Sequence, residues 1–119
     1  METAKILFIS DLDGTLLTPD CKITDETAKI LNNLIKSGLI FSIATARTIA
    51  TVKKLTEKIN ISMPVVLMNG VIIYDINTSK YVDIEEIPKN SINCFFEKLE
   101  EYGTKGFLYT IENNTMQTY

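Results

Sequence analysis

The chain has 119 residues, 45% of them hydrophobic and 23% charged, with a formal net charge of −3. That length permits one hydrophobic core and not two; the mildly acidic balance, without a basic stripe, argues against nucleic acid, and no apolar run approaches a membrane span. Histidine is absent, which removes imidazole acid–base chemistry, Ser-His-Asp and Cys-His relays and histidine-ligated zinc together, so any catalysis must rest on carboxylates, lysines, hydroxyls or a metal.

The first element is the run Lys5-Ile6-Leu7-Phe8-Ile9, short and rich in β-branched and aromatic residues, as suits a buried strand. It leads into Ser10-Asp11-Leu12-Asp13-Gly14-Thr15-Leu16-Leu17. In extended backbone Asp11 and Asp13 point to one side and Leu12 to the other. The carboxyl end of a parallel strand is where open α/β sheets place ligands. Like charges that close are costly without a cation, so a hard, oxygen-preferring ion such as Mg²⁺ is expected with Asp11 and Asp13. A turn in which the aspartates bond their own backbone is the alternative. An EF-hand loop is excluded, because glycine comes fourth rather than sixth and Lys22 stands where the closing glutamate belongs.

Thr18-Pro19-Asp20 marks a turn. Thr24 is predicted to cap a helix, with Asp25 and Glu26 at the positive end of its dipole and Ile23 packing back on Ala28. Ala28, Leu31, Leu34 and Ile35 recur at helical spacing as a core face, and Gly38 ends the helix. Leu39 to Ala44 reads as a second buried strand, followed by Thr45-Ala46-Arg47-Thr48 and a helix with Ile49, Val52, Leu55 and Ile59 on one face. Strand, helix, strand implies a parallel, right-handed crossover. Thr45 lies where a hydroxyl and free helix N–H groups gather phosphate, with a helix cap as its plainer role.

Pro64 to Met68 is a third strand, and Asn69-Gly70 is a turn signal first and a site candidate second. Val71 to Tyr74 and Lys80 to Asp83 read as strands joined by Asp75 to Ser79. From Pro88 onward Ile92, Phe95, Phe96 and Leu99 make an amphipathic helix closed by Gly103, with the two phenylalanines expected in a core. Gly106 to Ile111 and Thr115 to Tyr119 are strands around the tight turn Asn113-Asn114. Cys21 and Cys94 have no metal-like spacing, so a reduced, cytoplasmic protein is expected. Met1-Glu2 opens onto the first strand, and no signal peptide is expected.

Asp11-Leu12-Asp13-Gly14-Thr15-Leu16, followed by Thr45-Ala46-Arg47 and Asn69-Gly70, resembles the front half of the haloacid dehalogenase (HAD) superfamily pattern, in its Cof-type sugar-phosphate phosphatase form. The resemblance implies an α/β, HAD-like Rossmannoid fold with a parallel core sheet, strands one to three present, and the beginning of an α/β cap. Residues 1–84 would be the N-terminal half of the core with an outward hairpin, and 85–119 the start of the cap. It implies Asp11 as the nucleophile that becomes an aspartyl-phosphate and Asp13 as the general acid/base. It places Mg²⁺ on the Asp11 carboxylate and the Asp13 backbone carbonyl. Thr45, Ala46, Arg47 and Asn69 would surround the phosphorylated substrate, Arg47 positioning either the substrate or the loop, with Gly14 supplying permissive backbone where the strand unwinds. The usual T-G-R has alanine, Ala46, at its centre here. A small phosphorylated metabolite is the implied substrate.

The family's later motifs, a lysine and G-D-x-x-x-D, do not follow, so the chain is expected to be a fragment, weak or inactive alone. Its first strand would then have an exposed edge, through which the chain could dimerise. Two alternatives stay open: a phosphomutase, and a module that binds phosphorylated ligand or assembles with a partner without turnover. A receiver domain is disfavoured, because its aspartate follows the third strand, where this chain has Met68-Asn69-Gly70.

Overall fold

Two strands separated by a helix begin the structure. The computed structural model describes residues 6–119, which fall into two compact units parting between Ile84 and Glu85. In the first unit β1 (Leu7–Ser10) runs parallel to β2 (Ile40–Ile43), with Leu7 opposite Ile40 and Ser10 opposite Ile43. Parallel neighbours need a crossover, and helix α1 (Asp25–Lys36) supplies it. Helix α2 (Ile49–Leu55) lies in the next connection, to β3 (Val65–Leu67). β2 and β3 meet through one parallel bridge, Ala44 to Val66. The parallel sheet therefore narrows at its third strand, which has only 3 residues. β3, β4 (Ile72–Asp75) and β5 (Lys80–Ile84) continue as an antiparallel meander.

The core lies between these layers, where Leu12, Phe41, Ile43, Val52, Val65, Leu67 and Ile72 are fully buried. Ser42, also buried, donates its hydroxyl to the Pro64 carbonyl at 2.6 Å. Helix α1 begins as its sequence dictates: Thr24 Oγ1 accepts the Thr27 N–H at 3.1 Å, and Ile23 and Ala28 are both buried. It ends with Gly38 at φ 106, the Gly38 and Leu39 N–H groups closing on the Ile35 and Leu34 carbonyls. Asn32 ties the chain beyond α2 to this helix, donating to the Lys58 carbonyl and accepting the Asn60 N–H, each at 2.8 Å.

Several expectations give way. β1 is not buried: Leu7, Phe8 and Ile9 are each about half exposed, because among the described residues the strand pairs on one side only. Phe8 stacks on Phe41 with ring centroids 6.1 Å apart. On α1, Leu34 is exposed, while Leu31 and Ile35 are half-buried. Helix α2 stops at Leu55, so Ile59 lies beyond it, although it is buried. The Thr56 N–H and hydroxyl both bond the Val52 carbonyl, and a threonine hydroxyl turned back on the preceding turn competes with helix continuation.

The second unit holds α3 (Lys89–Glu101) and a hairpin of β6 (Tyr109–Glu112) and β7 (Thr115–Thr118). Asn113 and Asn114, at φ 50 and 60, make the turn that matches strand twist. β6 starts later than Gly106, but Leu108 and Tyr119 exchange both backbone bonds and lengthen the ladder by one pair. No residue of this unit is buried, and Phe95 and Phe96 are 56% and 43% exposed rather than core. One helix and one hairpin provide no second layer to enclose them. No helix among the described residues is long and apolar enough to cross a membrane.

Burial separates the aromatic residues in a measurable way. Phe41→Ala should cost about 3–5 kcal/mol in urea unfolding, whereas Phe96→Ala should change stability by no more than about 0.5 kcal/mol. Thr24→Ala should cost about 1 kcal/mol through loss of its cap.

Candidate active site

Because β1, β2 and β3 run parallel, their carboxyl ends and following loops gather on one side of the sheet. There they line a cavity of about 460 Å³: Asp11 and Asp13 from the first loop, Ala44, Thr45 and Ala46 from the second, Val66 from β3 itself, and Asn69 and Gly70 from the loop after it. The sequence candidates Asp11, Asp13, Thr45, Ala46 and Asn69 thus share one opening, while Gly14 and Arg47 are outside its lining.

In the first loop Leu12 is fully buried between two exposed aspartates. The chain then turns through Asp13 (φ −72, ψ 124) and Gly14 (φ 74, ψ 3), a type II turn whose second central position favours glycine. The Leu17 N–H bonds the Leu12 carbonyl at 2.8 Å and so closes the wider loop that contains this turn. Asp11 Oδ1 accepts the Leu12 N–H at 2.7 Å, so the self-bonded aspartate turn and the cavity-facing carboxylate coexist in one residue.

Thr45 is buried, with its N–H on the Val66 carbonyl at 3.0 Å and its Oγ1 accepting the Arg47 N–H at 3.3 Å. It does not sit at the start of α2, as expected: Thr48 holds that place, three residues on, without a side-chain cap bond. Thr45 therefore reaches the cavity from the end of β2 and not as part of a helix terminus.

The third loop carries three successive left-handed residues, Met68 at φ 50, Asn69 at φ 57 and Gly70 at φ 96. Such backbone is costly for methionine and persists only where surroundings hold it. Here the Met68 N–H bonds the Arg47 carbonyl and the Asn69 N–H bonds the Thr45 carbonyl, each at 3.2 Å. The Asn-Gly pair announces part of this turn; nothing in the sequence marks Met68.

Arg47 crosses to the first loop, Nε donating to Asp13 Oδ2 and Nη2 to Asp13 Oδ1, both at 2.7 Å, with Nη2 3.8 Å from Cys21 Sγ. These hydrogen bonds, more than the attraction of the charges, hold the Asp13 carboxyl below its usual range and push the guanidinium higher. The pairing spans 34 residues of sequence, and no local pattern predicts it.

The donors here suit a hard cation in part. The Asp11 carboxylate and Asp13 carbonyl are oxygen ligands, and Mg²⁺ takes one or two carboxylates while keeping waters and substrate phosphate. Among the described residues no three acidic or cysteine side chains converge, so this set fills only part of such a shell.

Residues 8–119 match the family described as haloacid dehalogenase-like hydrolase. The protein MG265 of Mycoplasma genitalium is 31% identical over 110 residues, 92% of this chain and 39% of its own. YcsE of Bacillus subtilis, named a 5-amino-6-(5-phospho-D-ribitylamino)uracil phosphatase, is 35% identical over 71 residues, 60% of this chain and 28% of its own. The fold of BT1666 from Bacteroides thetaiotaomicron, one of the HAD superfamily phosphatases, matches at a TM-score of 0.71 with 22% identity, over 94% of this chain and 40% of that one. The chain spans well under half the length of each of these relatives. With the aspartate loop, Thr45 and Asn69 all inside the matched residues, the chain belongs to the haloacid dehalogenase-like hydrolases.

Proposed function

We propose that the chain carries the nucleophilic half of a phosphohydrolase that acts on small phosphorylated metabolites, sugar phosphates among them. The carrying observation is that Asp11, Asp13, Thr45 and Asn69 open on one cavity at the carboxyl ends of parallel strands. YcsE, by its name, is a phosphatase of a phosphorylated small molecule, which fits this class.

In this reading an Asp11 carboxylate oxygen attacks phosphorus, and the bond from phosphorus to the leaving oxygen breaks. Asp13 gives its proton to that oxygen. Water then attacks the aspartyl-phosphate, surrenders a proton to Asp13, and releases inorganic phosphate with Asp11 restored. Arg47 opposes protonation of Asp13, whereas a phosphate dianion beside that carboxyl favours it. Thr45 hydroxyl and Asn69 amide donors hold phosphate oxygens, with Ala46 beside them on the cavity wall. The Gly14 turn sets Asp13 after Asp11. The Asp11 carboxylate and Asp13 carbonyl would hold Mg²⁺, which supplies neutralisation of phosphate charge.

Residues 85–119, a unit of their own, are taken here as the start of the cap domain, and the edge of β1 left open among the described residues is the surface for a second copy. Exposed free Cys21 and Cys94 suit a reducing, cytoplasmic setting. A second reading, phosphate-ligand binding without turnover, is favoured by the incomplete acidic cluster among the described residues.

Hydrolysis of p-nitrophenyl phosphate tests the first reading against the second. The expected result is a rate that needs Mg²⁺, disappears with EDTA, and falls about 10³-fold or more in Asp11→Asn. Asp13→Asn should lower kcat by about 10²- to 10⁴-fold. An Asp11→Asn protein with the unaltered rate would sink the phosphohydrolase reading, and phosphate binding without any rate would select the second.

A further inference from the structure

Arg47 is the only arginine in the chain, and it touches three loops. Its carbonyl accepts the Met68 N–H at 3.2 Å, its N–H donates to Thr45 Oγ1 at 3.3 Å, and its guanidinium reaches Asp13. The two parallel bonds of 2.7 Å engage both carboxylate oxygens in the fork-on-fork arrangement that fixes direction as well as distance. Asp13 lines the cavity; Arg47 does not. An arginine holding phosphate would present its donors to that space, and this one spends Nε and Nη2 on a carboxylate.

We propose that Arg47 is the positioning residue of Asp13: it sets the direction of that carboxylate and acts on the reaction through it, while other groups hold phosphate. An exposed aspartate left alone samples several staggered rotamers. A proton donor has to lie within hydrogen-bond reach of the leaving oxygen, and fixing it there in advance removes an orientational cost from the chemical step. Because the carbonyl of the same residue anchors Met68, the direction of Asp13 is set relative to all three strand ends at once. Lysine cannot replace this function, having no planar pair of donors. The kinetic consequence rests on the phosphohydrolase reading; the assignment of the guanidinium to Asp13 rather than phosphate does not.

A single arginine gives a single guanidinium Nε–H resonance, which tests the assignment in the full chain without turnover. Asp13→Asn should shift that resonance and speed its exchange with water. Saturating inorganic phosphate should shift the Thr45 and Asn69 amides, and Arg47→Met should bind phosphate as tightly as the unaltered chain. A severalfold loss of phosphate affinity in Arg47→Met, or no response of the resonance to Asp13→Asn, overturns the proposal. In aryl phosphate hydrolysis Arg47→Met should lower kcat about 10- to 100-fold with little change in KM, and Arg47→Lys should recover only part of the loss. In an Asp13→Asn background Arg47→Met should cost nothing further, because the two residues act as one unit. A rise in KM alone, or additive losses, contradicts it. If Asp11→Asn hydrolyses at the unaltered rate, it is the phosphohydrolase reading that fails, and the resonance and phosphate-affinity comparisons alone decide Arg47.

Discussion

Leu12 has no solvent exposure and lies between two exposed aspartates, and that contrast determines which side chains face the cavity. Fully burying a leucine side chain stabilises by roughly 1.5–3 kcal/mol. The same residue donates its N–H to Asp11 Oδ1 and offers its carbonyl to Leu17. Rotating the loop to present Leu12 would therefore forfeit core packing and both bonds. With Leu12 anchored inward, Asp11 and Asp13 are left on the cavity side, and the glycine turn that follows lets the chain leave without returning across them.

The second constraint is the parallel alignment of strands. Each strand ends at the same side, so residues from three separate stretches of sequence become neighbours. Backbone bonds then lock them: Ala44 to Ser10, Thr45 to Val66, Met68 to Arg47 and Asn69 to Thr45. Left-handed backbone at a non-glycine residue costs on the order of 1–3 kcal/mol, and at Met68 this network holds it. The strain turns the chain at the end of β3, where Asn69 meets the cavity.

Local chemistry made much of this legible. The caps at Thr24 and Gly38, the turn at Asn113-Asn114 and the inward Leu12 follow from residue type and spacing, and the aspartate pair with Thr45 marks loops that line the cavity. What failed were inferences about partners. The periodicity of Leu34, Phe95 and Phe96 says which face is apolar, not whether anything covers it. The end of α2 at Leu55 falls within an apolar spacing that runs on to Ile59, so periodicity alone does not mark it. The Arg47–Asp13 pair joins residues whose proximity exists only after the crossover has formed. Spacing rules see a helix turn or a strand pleat; they do not see two loops meeting across a sheet.

The account stands on Asp11 as the atom that takes phosphorus. Acid quenching of the full chain during turnover of a phosphorylated substrate, followed by mass mapping of the peptide that holds Asp11, tests this most directly. The account predicts a phosphoryl group on Asp11, accumulating when Asp13→Asn slows its hydrolysis. Hydrolysis with no adduct on Asp11, or an adduct on another residue, would contradict it.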